Sequence, residues 1–156
     1  MQPAKEVQLW APDESLNDKI DGELKGILRV RKFLETFGLS VTDSVITSRD
    51  GLVRDSKQLL EIRSMPQGFD KHQLPIFISN NVSTMFFITA GQPGATFPTH
   101  KHSKDTGLHI IVSGSIELNQ TMLEVGDWFY VPCGCNYSFH VGNTGCTILH
   151  AYGPDK

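Results

Sequence analysis

The sequence predicts an all-β fold: a β-barrel that follows an N-terminal helical arm. Two observations carry this prediction. Apolar residues recur at three- and four-residue spacing up to Gly38, which is typical of an amphipathic helix. From Leu39 onward, short segments rich in Val, Ile, Thr and Phe alternate with turn residues, and this spacing indicates a sandwich or closed barrel. The 156 residues are long enough to bury one such core.

The N-terminal helix is expected to begin at Asp13 or Ser15, which can cap it, and to end at Gly38. Its apolar positions are Leu16, Ile20, Leu24, Ile27, Leu28, Leu34 and Phe37. Gly22 and Gly26 each weaken such a helix by about 1 kcal/mol relative to alanine. We interpret the two glycines as positions of close packing against a neighbouring element.

The arm and helix, residues 1–38, are expected to form one unit with the barrel, residues 39–156. The candidate strands are 41–47, 52–54, 75–79, 82–90, 95–102, 107–118, 121–125, 128–132, 136–141 and 146–152. The segment 56–63 is ambiguous between helix and strand. Glycine- and asparagine-rich turns separate most of these segments.

Composition excludes several classes of protein. The formal charge is −3 and the basic residues form no dense patch, which argues against nucleic acid. No apolar run approaches the roughly 20 residues of a membrane span, and the N-terminus lacks the apolar core of a signal peptide. We therefore predict a cytoplasmic protein. An odd number of cysteines argues against a disulfide framework, and we interpret Cys133-Gly134-Cys135 as a tight turn.

Histidines concentrate in the last third of the chain. His100 and His102 are two residues apart in a predicted strand, so both project to one face. Neutral imidazoles suit iron, manganese, nickel, copper and zinc. The pair is therefore a candidate metal site.

Glycines and a proline around this pair resemble the two sequence motifs of the cupin superfamily (RmlC-like proteins). The matching positions are His100, His102 and Gly114 in the first motif and Gly126, Pro132 and Gly134 in the second. The resemblance covers about 80 residues and implies a cupin-type β-barrel, that is, a double-stranded β-helix or jelly roll. It also implies a homodimer.

Two metal ligands that the resemblance implies are missing. The usual glutamate position falls on Gly107 and the usual second-motif histidine falls on Tyr137. His109 shares the inward face with Gly107 if the strand is regular; it can be a third metal ligand, an acid or base in the pocket, or a core histidine. Tyr137 can donate a hydrogen bond to a substrate oxyanion, ligate a ferric ion, or pack in the core.

Two further histidines are weaker candidates for the site. His140 lies three residues after Tyr137, so strand parity points it outward unless a bulge near Gly142 intervenes. His150 shares a strand face with Tyr152, but the sequence does not fix which face it is. His72 lies in a polar segment and is expected to be solvated.

The leading hypothesis is a metal-dependent cupin enzyme acting on a small organic molecule. Three neutral histidine ligands without a carboxylate resemble the non-haem iron dioxygenases, so Fe(II) is the favoured metal, with manganese, nickel or zinc as alternatives. One alternative is a non-catalytic cupin that binds or senses a small molecule. Another is an isomerase, lyase or cyclase that uses histidine and tyrosine for acid–base chemistry.

Overall fold

The structure, a computed structural model, describes residues 10–36, 47, 49, 55–75 and 84–154. The elements in these ranges are a 3-10 helix Ser15–Asn17, strands β1 Lys19–Ile20 and β2 Glu23–Leu24, helices α1 Lys25–Thr36 and α2 Ser56–Leu59, and strands β3 Glu61–Ile62, β4 Phe69–Gln73, β5 Met85–Gly91, β6 Thr96–His100, β7 Asp105–Leu118, β8 Thr121–Glu124, β9 Trp128–Val131 and β10 Tyr137–Pro154. None of the helices in these ranges has the length and apolar character that a membrane span requires.

The N-terminal helix is shorter than predicted, because a hairpin occupies its expected first half. Strands β1 and β2 pair antiparallel around Asp21 and Gly22, whose φ angles are +51° and +83°. Two consecutive positive φ angles define the tight turn that matches the twist of a hairpin, and Asp-Gly is a preferred sequence for it. The prediction of a helix beginning at Asp13 or Ser15 was therefore wrong, and α1 begins at Lys25.

Helix α1 packs directly on the barrel through Gly26. A Cβ at this position would lie 2.0 Å from the Met85 sulfur, so only glycine allows the approach. The buried Gln73 side chain donates a 2.9 Å hydrogen bond to the Gly26 carbonyl. Further along α1, Phe33 packs in a small apolar cluster with Leu60. The predicted close packing is thus found at Gly26, whereas Gly22 serves the hairpin turn.

The barrel is an eight-stranded antiparallel sheet centred on β10. The strand order is β3-β4-β5-β10-β7-β8, with β6 also paired to β10 and β9 to β7. The predicted strands 136–141 and 146–152 are one continuous strand, which contains a register shift between Val141 and Cys146. Gly114 faces this irregularity, and a Cβ there would lie 1.9 Å from the Gly145 carbonyl oxygen. This close contact leaves no room for a side chain at position 114.

Strands β5 to β9 lie where the sequence predicted strands, within a few residues at each end. The ambiguous segment 56–63 contains both helix α2 and strand β3, and strand β4 was not predicted. The expected strands 41–47, 52–54 and 75–79 fall outside the described residues, apart from positions 47 and 75. None of the three cysteines forms a disulfide.

One apolar cluster forms the main core of the barrel. Its buried members are Phe69, Phe97, Ile111, Ile116, Phe129, Val131, Phe139, Val141, Cys146 and Ile148. Buried histidines and tyrosines lie next to this cluster on the inward faces of the strands. They form the candidate site.

Candidate functional site

A cleft of about 620 Å³, including the part of its mouth open to solvent, lies between the N-terminal segment and the inner face of the sheet. Its principal polar lining residues are Lys71, Thr89, His100, His102, Asp105, Tyr137, His150 and Tyr152. Its principal apolar lining residues are Trp10, Leu16, Ile62, Met65, Phe87, Phe97 and Phe139.

His100 ends β6 with its side chain buried in the cleft. Its Nδ1 lies 2.8 Å from the Pro98 carbonyl oxygen; because a carbonyl only accepts, Nδ1 carries the proton. The Nε2 atom, which then has a free lone pair, is buried without a hydrogen-bond partner among the described residues. Burial lowers the pKa of this imidazole below its usual value, which keeps it neutral at pH 7.

His102 lies just beyond β6, and its ring centroid is 5.3 Å from that of His100. Both histidines line the cleft, as the two-residue alternation predicts. The His102 Nδ1 lies 3.5 Å from a carboxylate oxygen of Asp105, although this contact lacks hydrogen-bond geometry. Burial lowers the pKa of His102 to about 4 and raises the pKa of Asp105 to about 6. Asn17, from the N-terminal segment, donates to the other Asp105 oxygen.

Tyr137 begins β10 directly opposite His100 in the strand pairing. Its ring centroid lies 4.2 Å from that of His100, and its hydroxyl oxygen lies 3.3 Å from Nε2 of His102. Burial raises the pKa of the phenol, so the hydroxyl keeps its proton across the physiological range. Tyr137 therefore presents a proton donor at the position where the motif usually has a histidine.

His109 and His150 form a second pair, directly opposite each other on β7 and β10. Their ring centroids are 4.4 Å apart, and burial lowers the pKa of each well below its usual value. His109 is 0% exposed and stacks on Phe129 at 4.3 Å. The Gly107 backbone lies near its ring, yet neither ring nitrogen makes a hydrogen bond of ordinary geometry. His150 lines the cleft, whereas His109 lies behind it.

The remaining two histidines lie outside the cleft. His140 is exposed, as strand parity predicts, and its Nδ1 lies 2.8 Å from the Thr96 hydroxyl. His72 was expected to be solvated in a loop; it lies instead on β4 and is partly buried. Neither residue lines the cleft.

Residues 52–156 match the family model described as the ChrR cupin-like domain. The chain belongs to this family. The cupin resemblance inferred from the motifs is therefore confirmed, and so is the β-barrel fold. No curated protein sequence matches the chain.

Solved structures with this cupin fold align over more than half of the chain. KdgF from Halomonas sp. is 15% identical, with a TM-score of 0.51, and the match covers 60% of this chain and 87% of that one. An RmlC-like cupin from Shewanella frigidimarina is 18% identical, with a TM-score of 0.49 and coverage of 62% and 96%. The anti-sigma factor ChrR, solved with SigE from Rhodobacter sphaeroides, is 14% identical, with a TM-score of 0.49 and coverage of 78% and 65%.

This cupin has no space for a side chain at Gly107, the usual glutamate position. A Cβ there would lie 2.8 Å from Cε1 of His109 and 3.1 Å from Cε1 of Tyr152. The His109 ring thus occupies the space that a residue at position 107 would need. The absence of a glutamate at position 107 and the position of the His109 ring therefore belong to one packing arrangement.

Lys71 and Tyr152 are polar residues of the cleft that sequence reasoning missed. The Lys71 ammonium donates a 3.2 Å hydrogen bond to the Tyr152 hydroxyl. It also lies 4.7 Å from the ring centre of Phe87 and 4.6 Å from that of Tyr152. Burial lowers the pKa of this lysine to about 8. The available signal was the alternation Phe69-x-Lys71-x-Gln73, which places three side chains on the inner face of β4.

The donor atoms needed by a transition metal are present in this cupin, but they are divided between two pairs. His100 and His102 form one pair, and His109 and His150 form the other, with Tyr137 and Tyr152 in contact with both. Within the described ranges, no three His, Cys, Asp or Glu side chains converge closely enough to hold a metal ion. The donor chemistry therefore fits a metal, whereas a three-ligand set is not assembled in this arrangement.

Proposed function

We propose that this cupin is a metal-dependent enzyme that acts on a small organic molecule, as an oxidoreductase of the non-haem iron dioxygenase type. The observation that carries the proposal is the tautomer of His100 and the burial of its Nε2 atom. Its Nδ1 is held by a backbone carbonyl while its buried Nε2 has no partner among the described residues. Backbone acceptors commonly fix metal-binding histidines in this way, and a buried nitrogen without a partner is costly unless a ligand binds it.

His100 and His102 would hold the ion, with His109 proposed as the third ligand. Fe(II) is favoured, and manganese, nickel or zinc are alternatives. When bound, the ion supplies open coordination positions and redox capacity for oxidation of the substrate. For His109 to reach the same ion as His100 and His102, its ring must leave the position in which it stacks on Phe129.

Tyr137 is proposed to act on protons, and His109 does so in the alternative in which it does not bind the metal. The Tyr137 hydroxyl keeps its proton and projects into the cleft, so it can donate a hydrogen bond to a developing oxyanion on the substrate. His109 is neutral and has an available ring nitrogen, so it can accept a proton if the substrate reaches it.

A second candidate function is metal-free acid–base catalysis by an isomerase, lyase or cyclase. The specific observation in its favour is the 3.3 Å approach of the Tyr137 hydroxyl to Nε2 of His102. This contact pairs a proton donor with a neutral imidazole inside a half-enclosed cleft. In this second candidate function, His100 and His102 transfer protons and bind no ion.

Elemental analysis of the untagged protein tests the first proposal. Wild type is expected to carry near-stoichiometric iron, manganese, nickel or zinc, and His100→Ala/His102→Ala is expected to lose it. His140→Ala removes an exposed histidine and is the matched control, expected to keep the metal. Absence of metal from wild type, even after reconstitution with each of the four ions, would contradict the proposal.

Activity measurements then separate the remaining alternatives. An iron-dependent dioxygenase consumes oxygen and loses turnover on chelation. Acid–base catalysis survives chelation and is lost in Tyr137→Phe. A cupin that only binds or senses a small molecule is stabilised thermally by its ligand without turnover.

Further expectations concern the assembly and location of the protein. The cupin resemblance predicts a homodimer, and a cytoplasmic location is expected. A small-molecule substrate is expected as the ligand, and neither nucleic acid nor a membrane is expected as a partner. These remain predictions.

A further inference from the structure

Lys71 places a positive charge in the cleft without an acidic partner among the described residues. The acidic residues that line the cleft are Asp13 and Asp105, and neither forms an ion pair with Lys71. Asp13 accepts a hydrogen bond from the backbone of Ser15, and Asp105 accepts one from Asn17. Asp105 attracts the Lys71 ammonium electrostatically but makes no ion-pair contact with it. The charge of Lys71 is therefore left uncompensated at contact distance, which is costly in a partly desolvated site.

The hydrogen bonds around the lysine have a fixed direction. An ammonium only donates, so the Tyr152 oxygen accepts from Lys71. The Tyr152 hydroxyl proton is then directed to Nδ1 of His150, 3.0 Å away. This assignment places the His150 proton on Nε2, which is buried without a partner among the described residues. The result is a second unused donor, on a residue that lines the same cleft.

From this arrangement we propose that Lys71, together with Nε2 of His150, binds the carboxylate of an organic acid in the cleft. The pairing satisfies the uncompensated cation and the unused N–H group at once. A carboxylate has two oxygens, so it can accept from both donors. The aromatic residues Trp10, Phe97 and Phe139 also line the cleft and suit an apolar body attached to the carboxylate.

This inference names the substrate class of the proposed enzyme and so rests on the same cleft. It also assigns His150 to the organic anion instead of the metal. The metal proposal depends first on His100 and His102, which form the other histidine pair. Among its proposed ligands, His109 contacts His150. The two proposals can therefore fail independently.

The test is calorimetric titration of the full-length protein, as purified, with benzoate and with its uncharged counterpart benzamide. Benzoate is expected to bind wild type at least about tenfold more tightly than benzamide, as expected for a hydrogen bond to a charged group. Lys71→Met is expected to weaken benzoate binding by a similar factor and to leave benzamide binding unchanged. Lys71→Arg keeps the charge and is expected to restore most of the affinity.

Lys101→Met is the matched control, because it removes an exposed lysine close in sequence to the first histidine pair. It is expected to bind benzoate as wild type does. Equal binding of benzoate and benzamide to wild type would overturn the proposal even if the Lys71 variants fail to fold. Undetectable benzoate binding, or unchanged benzoate binding in folded Lys71→Met, would also overturn it. Metal content measured on the same samples shows separately whether the metal proposal stands.

Discussion

The Tyr152 hydroxyl accepts a 3.2 Å hydrogen bond from the Lys71 ammonium. This bond joins β4, the strand next to the edge strand β3, to β10. Since the same hydroxyl contacts His150, one phenol connects the only lysine that lines the cleft in the described ranges to the inner pair of histidines.

Tyr152→Phe is expected to destabilise the protein by about 1–3 kcal/mol, because it leaves Lys71 and His150 without their shared partner in a buried site. Urea denaturation followed by circular dichroism measures the change. Ser113→Ala removes a hydroxyl from an exposed serine and is expected to change stability by less than about 0.5 kcal/mol. Equal effects of the two variants would show that the Tyr152 hydroxyl contributes no more than an exposed one.

Lys71→Met is expected to be more stable than wild type at pH 7, with an advantage that shrinks as the pH rises from 8 to 10. Burial lowers the pKa of Lys71 to about 8 in the folded protein, whereas an unfolded lysine titrates near 10.4. Between these two pKa values the unfolded state therefore binds more protons than the folded state. The unfolding free energy of wild type rises with pH over this range.

The measurement is the difference in unfolding free energy between wild type and Lys71→Met at several pH values. Taking the difference removes the contributions of tyrosines and cysteines that both proteins share. Lys101→Met is expected to show no such trend. A constant difference from pH 7 to pH 10 would mean that the Lys71 ammonium is not desolvated.

Gly107→Ala is expected to destabilise the protein by about 1–3 kcal/mol, the usual cost of forcing extra volume into a packed core. The added Cβ would meet the rings of His109 and Tyr152 at 2.8 and 3.1 Å. Gly153→Ala, where the nearest atom would be 4.0 Å away, is the control and is expected to be near neutral. Chemical denaturation of both variants checks the prediction, and a neutral Gly107→Ala would contradict the account of the missing glutamate.

Trp128→Glu is expected to shift the predicted homodimer toward monomer. Trp128 and Tyr130 on β9 lie beside Ile110 and Leu108 on β7; Trp128, Tyr130 and Leu108 are 63%, 54% and 36% exposed. An exposed apolar face of this kind commonly marks an interface, and the occupant expected here is a second copy of the chain. Light scattering after size-exclusion chromatography measures the mass. A monomeric wild type would refute the homodimer prediction, and a dimeric variant would exclude this face.

Much of the site could be predicted because its residues follow strand parity. His100 and His102 share the cleft, Tyr137 projects inward and His140 outward, all as the two-residue alternation requires. The local hairpin signal at Asp21 and Gly22 was present in the sequence but was outweighed by a helical spacing of apolar residues. In the structure, positive φ angles at both residues form a hairpin turn in place of the predicted helix.

The sequence by itself determined the barrel, through glycines and a proline at fixed spacing, and the inward faces of its histidine-bearing strands. Only the tertiary structure brought Lys71 and Tyr152 together, since they are 81 positions apart in the chain. It likewise decided that His109 lies behind the cleft, stacked on Phe129 and against Gly107. The alternation of side chains along a strand is a local property, so a short stretch of sequence is enough to predict it. The neighbours of an inward side chain depend instead on which distant strands pair and in what register.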